Sequence, residues 1–388
     1  MSGLSPSIRL LRDLVAIPSV NPMGRDDLPA DMLGEQRIAE YVGAELSRMR
    51  LDVSLLGSAG RTSVVAEARA GVGAETLLVA SHLDTVPVDG MEIDPFDPVI
   101  QDGRLYGRGS CDTKSGMAAL LEALGRVLSR GTLKRNVIVV GESDEEHRSA
   151  GAYDVLAELG ARRPDWSLAT EPTGLRLIHA HKGVVHARVR ARGLACHSSD
   201  PTAGRNAIVL LARAILAIEA SARVFLERPH PDLGPATLSI GIVRGGQAPN
   251  IVPDDAWLWV DRRTLPNEPP EVVKRELEDV LAKAGLAGEV VIDSCREEKP
   301  PLGNERESLS VRATGEALES LGLAADVSTV AFGTDAGVFS RVGIPSVVIG
   351  PGSIALAHTA REFVPVDEVE TMVRIFERLF ETSGSRIQ

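Results

Sequence analysis

The stretch VIVVGESDEEHRSAG, Val137–Gly151, decides how this chain is organised, because a short apolar run ends in three acids. A continuous apolar run of this length is typical of a strand that helices cover on both faces. Asp144, Glu145 and Glu146 follow it, with His147 behind them. An isolated acidic triplet is usually a solvated turn, so the rest of the chain decides whether these acids carry chemistry.

Three more apolar runs have the same character, namely TLLVA (76–80), WSLAT (166–170) and PSVVIG (345–350). Between such runs lie segments with apolar residues at three- and four-residue spacing. One of them, SGMAALLEALGRVLSRG, predicts a helix that stops at Gly131. Strands that alternate with helices in this way predict an α/β domain, with a central sheet flanked by helices.

The region 182–295 has a different pattern of apolar and polar residues. Alternating segments such as VVHARVRARG and DAWLWVDRRTL predict strands, whereas NAIVLLARAILAIEA and PPEVVKRELEDVLAKAG predict helices. Their order, β-α-β-β-α-β, predicts an inserted α+β sandwich of the ferredoxin-like kind. We therefore expect two domains, one formed by 1–181 and 296–388 and the other by 182–295.

Composition narrows the range of partners. The 388 residues suffice for more than one core, and 54 acids against 42 bases give a net charge of -12. No basic block occurs, which argues against a nucleic-acid partner and favours a small molecule. Arg9, Arg12 and Asp13 interrupt the N-terminal apolar pattern, so we expect a cytoplasmic protein with no membrane partner. Three cysteines without CxxC spacing argue against a disulfide framework or a cysteine-based zinc site.

Residues that can bind a metal ion follow each of the four apolar runs. In chain order they are His82 and Asp84, the triplet Asp144 to Glu146, Glu171, and His358. The carboxyl ends of parallel strands line the ligand crevice of an α/β sheet, so we expect these side chains on one side of it. Asp112, in the loop before the predicted helix, is a further candidate, although an Asp there also serves as an N-cap. Such a set of imidazoles and carboxylates suits two zinc-like ions that share a bridging carboxylate.

His82 and Asp84 are two residues apart, so on an extended segment their side chains face the same way. We therefore expect Asp84 to accept the second ring N–H of a metal-bound His82, the arrangement that usually orients such an imidazole.

Five ordered segments match a known family. They are SHLDTVPV, GRGSCDTKSGMAA, SDEEHRSAGA, ATEPT and GPGSIALAH. With them the chain resembles, over nearly its whole length, the dizinc hydrolases that include acetylornithine deacetylase, succinyl-diaminopimelate desuccinylase, aminoacylase and glutamate carboxypeptidase. The resemblance implies a zinc-aminopeptidase-like catalytic domain, an inserted dimerisation domain and a homodimer. Two positions depart from the family pattern, since His147 stands where glycine is common and Lys114-Ser115-Gly116 replaces KGG.

The resemblance also implies a role for each site residue. His82 and Glu171 are implied as ligands of one metal ion, and Glu146 and His358 as ligands of the other. Asp112 is implied as a ligand of both. Glu145 is implied as the general base and acid, and Asp84 as the partner of His82. Two divalent metal ions are implied as cofactors, with zinc as the first choice and cobalt or manganese as alternatives.

Further implied residues lie on the substrate side. GLACHSSDPTAGRNAI places His197 where the family stabilises the oxyanion in the partner subunit's site. Asn250, in GGQAPNIVP, resembles a family residue that donates a hydrogen bond to the substrate. Arg263, the last arginine of VDRR, resembles the family residue that binds the substrate carboxylate. Thr334, in AFGTDAG, lies where a loop of the substrate pocket is expected, although a helix start before AGVFSRVG explains this segment at least as well.

The expected function is metal-dependent hydrolysis of the amide bond of an N-acyl amino acid, N-acetyl in the first place, as in acetylornithine deacetylase. The segments GPGSIALAH and SVNP favour this member of the family, because they resemble acetylornithine deacetylase most. The alternatives are succinyl-diaminopimelate desuccinylase and a dipeptidase or carboxypeptidase acting on short peptides, because all share this metal chemistry. A metal-binding scaffold without turnover is the non-enzyme alternative. Glu145 counts against it, since a structural zinc site has no use for a free carboxylate.

Overall fold

A computed structural model describes residues 3–58, 60–304 and 306–383. Its internal contacts divide the chain into two units. The first unit comprises Met1–His179, Gly303–Ser328 and Thr334–Gln388, and the second comprises Ala180–Leu302 and Thr329–Gly333. The domain boundaries expected from the sequence, after 181 and after 295, remain a prediction.

The helices are, in chain order, α1 (Pro6–Val15), α2 (Gln36–Arg48), α3 (Lys114–Arg130), α4 (Ala150–Leu159), α5 (Ala207–Phe225), α6 (Pro270–Lys283), α7 (Leu309–Ser320), α8 (Ala336–Arg341) and α9 (Val366–Glu381). Two short 3₁₀ helices span Ala30–Met32 and Pro201–Ala203. Over the residues described, none of the helices is both long and apolar enough to cross a membrane.

The strands are, in chain order, β1 (Val53–Ser58), β2 (Arg61–Ala68), β3 (Thr76–His82), β4 (Val99–Gln101), β5 (Arg104–Tyr106), β6 (Asn136–Glu142), β7 (Trp166–Ala169), β8 (Leu177–His181), β9 (Gly183–Arg192), β10 (Cys196–His197), β11 (Thr237–Gly245), β12 (Ile251–Val252), β13 (Asp255–Thr264), β14 (Val290–Lys299), β15 (Leu302–Gly303), β16 (Val327–Val330), β17 (Ser346–Val348) and β18 (Phe363–Pro365).

The central sheet of the first unit runs in the order β1-β2-β6-β3-β7-β17. Strands β6, β3, β7 and β17 are mutually parallel, and β1 and β2 extend the sheet in antiparallel fashion. The four parallel strands are the four apolar runs of the sequence, so the predicted α/β class is confirmed. Their carboxyl ends lie at one edge of the sheet, which is where an α/β fold places its ligand site.

Helices cover both faces of this sheet, and the alternation of side chains along β3 shows how. Leu77 and Val79 belong to the apolar core that includes residues of α1, α2, α3, α7 and α9. Leu78 and Ala80 belong to a second core that includes residues of α4 and α8. Because successive side chains of a strand point to opposite faces, a strand between two layers of helices must be apolar at every position. This explains why the runs are continuous.

The second unit has the predicted β-α-β-β-α-β order, given by β9, α5, β11, β13, α6 and β14. Its four strands form an antiparallel sheet in the order β11-β13-β9-β14. Along β13, buried residues alternate with partly exposed ones, as expected for a sheet with helices on one face only. The α+β, ferredoxin-like part of the fold prediction is therefore also confirmed.

Helix α3 packs in the core of the first unit, and its start lies against the segment that follows β7. It ends at Gly131, whose φ of 64° is the left-handed conformation that favours glycine at the end of a helix. Near its start, Gly116 lies against Thr170, because a Cβ at Gly116 would be only 2.3 Å from Thr170 Oγ1. Glycine at this position permits the close packing of the helix on the segment that follows β7.

Gly116→Ala should lower the free energy of unfolding by about 1–3 kcal/mol, because Thr170 must move to admit the methyl group. Gly125→Ala is the matched control, since it lies on the same helix and its Cβ would be 3.5 Å from Met49 Cε, an ordinary contact. The control should raise the free energy of unfolding by up to about 1 kcal/mol through helix propensity. Urea denaturation of both variants measures the difference, and equal effects would contradict the close approach at Thr170.

Candidate metal centre

Six side chains with metal-binding atoms meet at the carboxyl edge of the central sheet, all within the first unit. His82 ends β3, Glu145 and Glu146 follow β6, and Glu171 follows β7. The loop before α3 supplies Asp112, and the loop after β17 supplies His358. The edge-of-sheet placement expected from the sequence therefore brings these residues together.

Asp112 lies between the two histidines. Its Oδ1 is 3.0 Å from His82 Nε2 and its Oδ2 is 3.2 Å from His358 Nε2. His358 Nε2 is also 3.1 Å from Glu146 Oε1. One buried carboxylate thus faces a different imidazole with each oxygen, which is the geometry a bridging ligand needs.

Two overlapping groups of ligand atoms converge around His82. In each group the ligand atoms all lie within 4.8 Å of one another, and the groups are His82 with Asp112 and Glu146, and His82 with Glu145 and Glu171. Glu145 therefore lies directly beside the ligand-type residues rather than out in solvent, and it is only 6% exposed.

The charges of this centre call for cations. Four carboxylates face two imidazoles, so the group is negative even when both histidines are protonated. Hydrogen bonds to Asp112 and Glu146 raise the pKa of His358 to about 11. Burial, together with the charge of Asp112, raises the pKa of Glu146. Oxygen and nitrogen donors with an excess of negative charge fit divalent metal ions of the zinc, cobalt or manganese kind.

Asp84 organises the acid pair through its carboxylate. Its Oδ1 accepts the backbone N–H of Glu145 at 3.1 Å, and its Oδ2 accepts that of Glu146 at 3.0 Å. His82 Nδ1 lies 2.9 Å from the backbone oxygen of Asp84 and 3.6 Å from its carboxylate. The backbone carbonyl therefore takes the ring contact expected of the carboxylate, because that carboxylate is occupied by the two N–H groups of the acid pair.

Glu362 is a supporting residue that the sequence did not reveal. It is fully buried, and its Oε1 accepts the backbone N–H of Cys111 at 2.9 Å and of Asp112 at 3.1 Å. Arg108 Nη1 donates to its other oxygen at 2.7 Å. Burial raises the pKa of Glu362, and the charge of Arg108 opposes that rise. The ion pair fixes the backbone that presents Asp112 to the two histidines, yet Arg108 and Glu362 are far apart in the chain and no sequence spacing connects them.

Gly350 brings the end of β17 against the segment that carries Glu171. A Cβ at Gly350 would lie 2.6 Å from the backbone oxygen of Glu171. The Gly350 N–H donates to Thr173 Oγ1 at 3.2 Å, which closes the contact from the other side. Glycine in PSVVIG is therefore required by close backbone approach and not by an unusual φ.

The expected substrate-side residues of the inserted region lie in the second unit. Strands β10 and β12 pair His197 with Ile251, and the Ser198 N–H donates to the backbone oxygen of Asn250 at 3.1 Å. His197 and Asn250 are thus close neighbours, and His197 is exposed. Arg263, on β13, is held by Asp261 through two contacts of 3.0 Å and 3.3 Å.

Thr334 is buried in the first unit, where its Oγ1 accepts the N–H of Ala336 at 3.2 Å at the start of α8. The helix-start explanation of AFGTDAG is therefore observed. A contact of Thr334 with substrate remains a proposal.

An α/β unit that gathers four carboxylates and two imidazoles at the carboxyl edge of its sheet, with Asp112 between the imidazoles, defines a candidate metal-dependent hydrolase. Known proteins agree with this class. The family model of peptidase family M20/M25/M40 matches residues 78–382. Acetylornithine deacetylase of Myxococcus xanthus is 33% identical over 382 residues, 95% of each chain. Acetylornithine deacetylase of Erwinia tasmaniensis is 32% identical over 370 residues, 92% of each chain.

Solved structures show the same fold. The M20 family metallo-carboxypeptidase Sso-CP2 of Sulfolobus solfataricus has a TM-score of 0.80 at 22% identity, over 97% of this chain and 99% of that one. The YXEP protein of Bacillus subtilis, described as a dinuclear metal binding peptidase, has a TM-score of 0.72 at 17% identity, over 97% and 96%. The chain belongs to peptidase family M20/M25/M40. It is a metal-dependent hydrolase of amide bonds.

Glu362→Gln should weaken metal binding about 10- to 100-fold, the usual effect of disturbing residues that support ligands. It should also lower the free energy of unfolding by about 3–5 kcal/mol, because Arg108 loses its buried carboxylate partner. Calorimetric titration of the metal-free protein with zinc measures the first effect, and urea denaturation the second.

Glu377→Gln serves as the control for that variant. Glu377 pairs at 2.8 Å with Arg130, whose side chain is 47% exposed, so the change should cost less than about 1 kcal/mol. Its metal affinity should equal that of the wild type. An unchanged metal affinity in Glu362→Gln would show that Asp112 does not depend on Glu362.

Proposed function

We propose that this protein hydrolyses the amide bond of an N-acyl amino acid, N-acetyl in the first place, in the manner of an acetylornithine deacetylase. The observation that carries the proposal is the position of Glu145. This glutamate lies beside His82 and Glu171 at the metal centre, and its backbone is held by Asp84. The two curated relatives, which bear the name acetylornithine deacetylase and align over more than nine-tenths of the chain, support the choice of substrate.

The proposed ligands are those that the family resemblance implies, and all of them lie at the candidate centre. One divalent ion is assigned to His82 and Glu171, the other to Glu146 and His358, and both to Asp112. Zinc is the proposed ion, with cobalt or manganese as alternatives. When bound, such a pair of ions polarises a carbonyl and lowers the pKa of water toward about 7.

Glu145 is the proposed proton carrier. Its carboxylate takes the proton from the water that attacks the amide carbonyl carbon. The same group, now protonated, delivers that proton to the amide nitrogen as the C–N bond breaks. The remaining proton of the attacking water then passes from the acyl product to the released amine, so the products are a carboxylate and a free amino acid. A group positioned for both transfers contributes about 10²- to 10⁴-fold to the rate.

The substrate-side assignments concern the second unit. His197 is proposed to stabilise the oxyanion in the partner subunit's site, and Asn250, its close neighbour, to donate to the substrate. Arg263 is proposed to bind the substrate carboxylate through its guanidinium. Asp261 already holds that guanidinium through two contacts. A substrate carboxylate would therefore replace Asp261 as the bidentate partner of Arg263. Thr334 is proposed as a pocket residue of the first unit.

A homodimer is part of the proposal, and the surface of the second unit supports it. Strand β11 lies at the edge of the four-stranded sheet, with Ile242 and Val243 exposed by 43% and 47%. On α5, Val209 and Leu216 are exposed by 56% and 67%. An edge strand beside exposed apolar side chains favours pairing with a second copy, because uncovered edges and patches of this kind are costly in a monomer.

We further propose a cytoplasmic location and the inserted domain at 182–295 as the dimerisation domain. The cysteines support the location, because Cys111, Cys196 and Cys295 are all free thiols, as is usual in reducing compartments.

Glu145→Gln should keep two metal ions per chain while lowering kcat by about 10²- to 10⁴-fold, because the neutral amide cannot accept the proton of water. The measurement is hydrolysis of N-acetyl amino acids by zinc- or cobalt-loaded protein, with metal content determined in parallel. Glu92→Gln is the control, since Glu92 is an exposed acid and its loss should leave both readouts unchanged.

A substrate panel for the wild type separates the alternatives in the same experiment. Turnover of N-acetyl amino acids above N-succinyl amino acids and dipeptides supports the proposal. Preference for N-succinyl substrates favours a desuccinylase, and turnover of dipeptides alone favours a peptidase. Metal binding without turnover of any of them favours the scaffold. A Glu145→Gln variant with wild-type kcat would remove Glu145 from its role.

Mixing inactive His197→Ala with inactive Glu145→Gln protein should restore activity if His197 acts in the partner subunit's site. In a mixed dimer, one site then contains Glu145 and receives His197 from the other chain, so random exchange returns about a quarter of the wild-type activity. Activity assays after co-refolding check this, and analytical ultracentrifugation checks the dimer. Lack of complementation between two dimeric variants would place His197 in its own chain's site or outside the reaction.

A further inference from the structure

Asn21 lies in the N-terminal segment SVNP, which runs beside the loop that follows β3. The Asn21 N–H donates to the backbone oxygen of Thr85 at 2.8 Å, and the Thr85 N–H donates to that of Ser19 at 3.0 Å. The Asn21 side chain is 1% exposed. Its backbone is therefore tied to the segment that carries Asp84.

The side-chain amide of Asn21 connects two buried carboxylates. Nδ2 donates to Asp84 Oδ2 at 2.8 Å and to Asp144 Oδ1 at 2.9 Å. Asn21 Oδ1 accepts the N–H of Met23 at 2.9 Å, so the orientation of the amide is fixed from both ends. Both hydrogens of one –NH₂ group are used, each on a different acid.

The two acids hold the turn that carries the acid pair. Asp84 accepts the backbone N–H groups of Glu145 and Glu146. Asp144 starts the turn with a φ of 63°, and its backbone oxygen accepts the N–H of Ser149 at 2.7 Å. The position of Glu145 and Glu146 thus depends on where Asp84 and Asp144 lie relative to each other.

Electrostatics favours a hydrogen-bond donor between the two acids at this place. The side chains of Asp84 and Asp144 are both 0% exposed, and an oxygen of each lies within 3 Å of the same nitrogen. Two carboxylates so close in a buried environment repel each other unless a donor separates them. Arg61 pairs with Asp144 Oδ2 at 2.5 Å on the far side, but only Asn21 Nδ2 contacts both acids among the described hydrogen bonds.

We propose that Asn21 is a positioning residue of the hydrolytic centre. By donating to Asp84 and Asp144 at once, it sets the turn that places Glu146 for metal binding and Glu145 for proton transfer. This inference rests on the proposed function, because it takes the roles of Glu145 and Glu146 from there.

Asn21→Ala should lower kcat about 10- to 100-fold with KM changed less than about threefold, since supporting residues act on ligand geometry. The affinity for the second equivalent of zinc should fall by a similar factor in calorimetric titration of the metal-free protein. Loss of fold alone would also lower the apparent kcat at unchanged KM, but the remaining folded fraction would keep wild-type zinc affinity, so the zinc titration separates the two causes.

Ser19→Ala is the matched control. Ser19 lies two residues away, is equally buried, and its hydroxyl donates to the backbone oxygen of Leu83 at 2.6 Å, so its loss removes a hydrogen bond of the same segment without touching either acid. We expect thermal stability to fall in both variants, with kcat and zinc affinity maintained only in Ser19→Ala.

The double variant Asn21→Ala/Asp144→Asn tests the electrostatic reason. An amide at 144 removes one of the two charges and suits the left-handed backbone, which asparagine adopts readily. Zinc affinity should recover at least about tenfold relative to Asn21→Ala, the range that supporting contacts usually span.

Wild-type kcat and zinc affinity in Asn21→Ala would overturn the inference. So would a double variant no better than the single one. A wild type that binds zinc but hydrolyses no member of the substrate panel contradicts the proposed function instead, and the zinc titrations of the variants still decide the role of Asn21.

Discussion

The arrangement of the centre depends on Asp112, whose two oxygens face His82 and His358 separately. One histidine comes from the end of β3 and the other from the loop after β17, so this carboxylate fixes the relation between distant parts of the first unit. Asp112 is itself held at its backbone by Glu362, which Arg108 neutralises on its other side. A buried ion pair adds little net stability but is expensive to break, so its main effect is to fix the position of Asp112.

The sequence predicted the α/β class, the β-α-β-β-α-β order of the second unit and the residues that meet at the centre, for one physical reason. Strands buried on both faces are apolar throughout, so polar residues at their ends are conspicuous, and parallel pairing then gathers those ends at one edge. Glu362 and Asn21 offered no such signal. Each acts through partners more than 60 residues away, and their side chains belong to types that are common on any surface. Only the packing of the folded chain distinguishes them.

The acid triplet after β6 illustrates the difference between pattern and packing. Taken alone, it suggested a solvated turn, yet Asp144 and Glu145 are buried and Glu146 is mostly covered. Each acid has different surroundings. Asp144 is held by Asn21 and Arg61, Glu145 lies beside His82 and Glu171, and Glu146 contacts His358. Like charges can be concentrated here because each one faces its own donor or cation site, which no reading of adjacent residues could reveal.

The contacts that support the metal centre in the first unit differ in kind from those of Arg263 in the second unit. In the first unit the supporting residues Asp84 and Glu362 are fully buried, so substitutions there should affect any substrate alike. In the second unit, Arg263 and Asp261 are partly exposed, and a substrate carboxylate would offer Arg263 the same bidentate contact that Asp261 provides. Exchange of one carboxylate for another gains little free energy in such a partly solvated pair. If Arg263 acts as proposed, the carboxylate orients the substrate, and preference among acyl groups and side chains must come from apolar and shape contacts elsewhere. Relatives with one metal chemistry can therefore differ in substrate without any change at the centre.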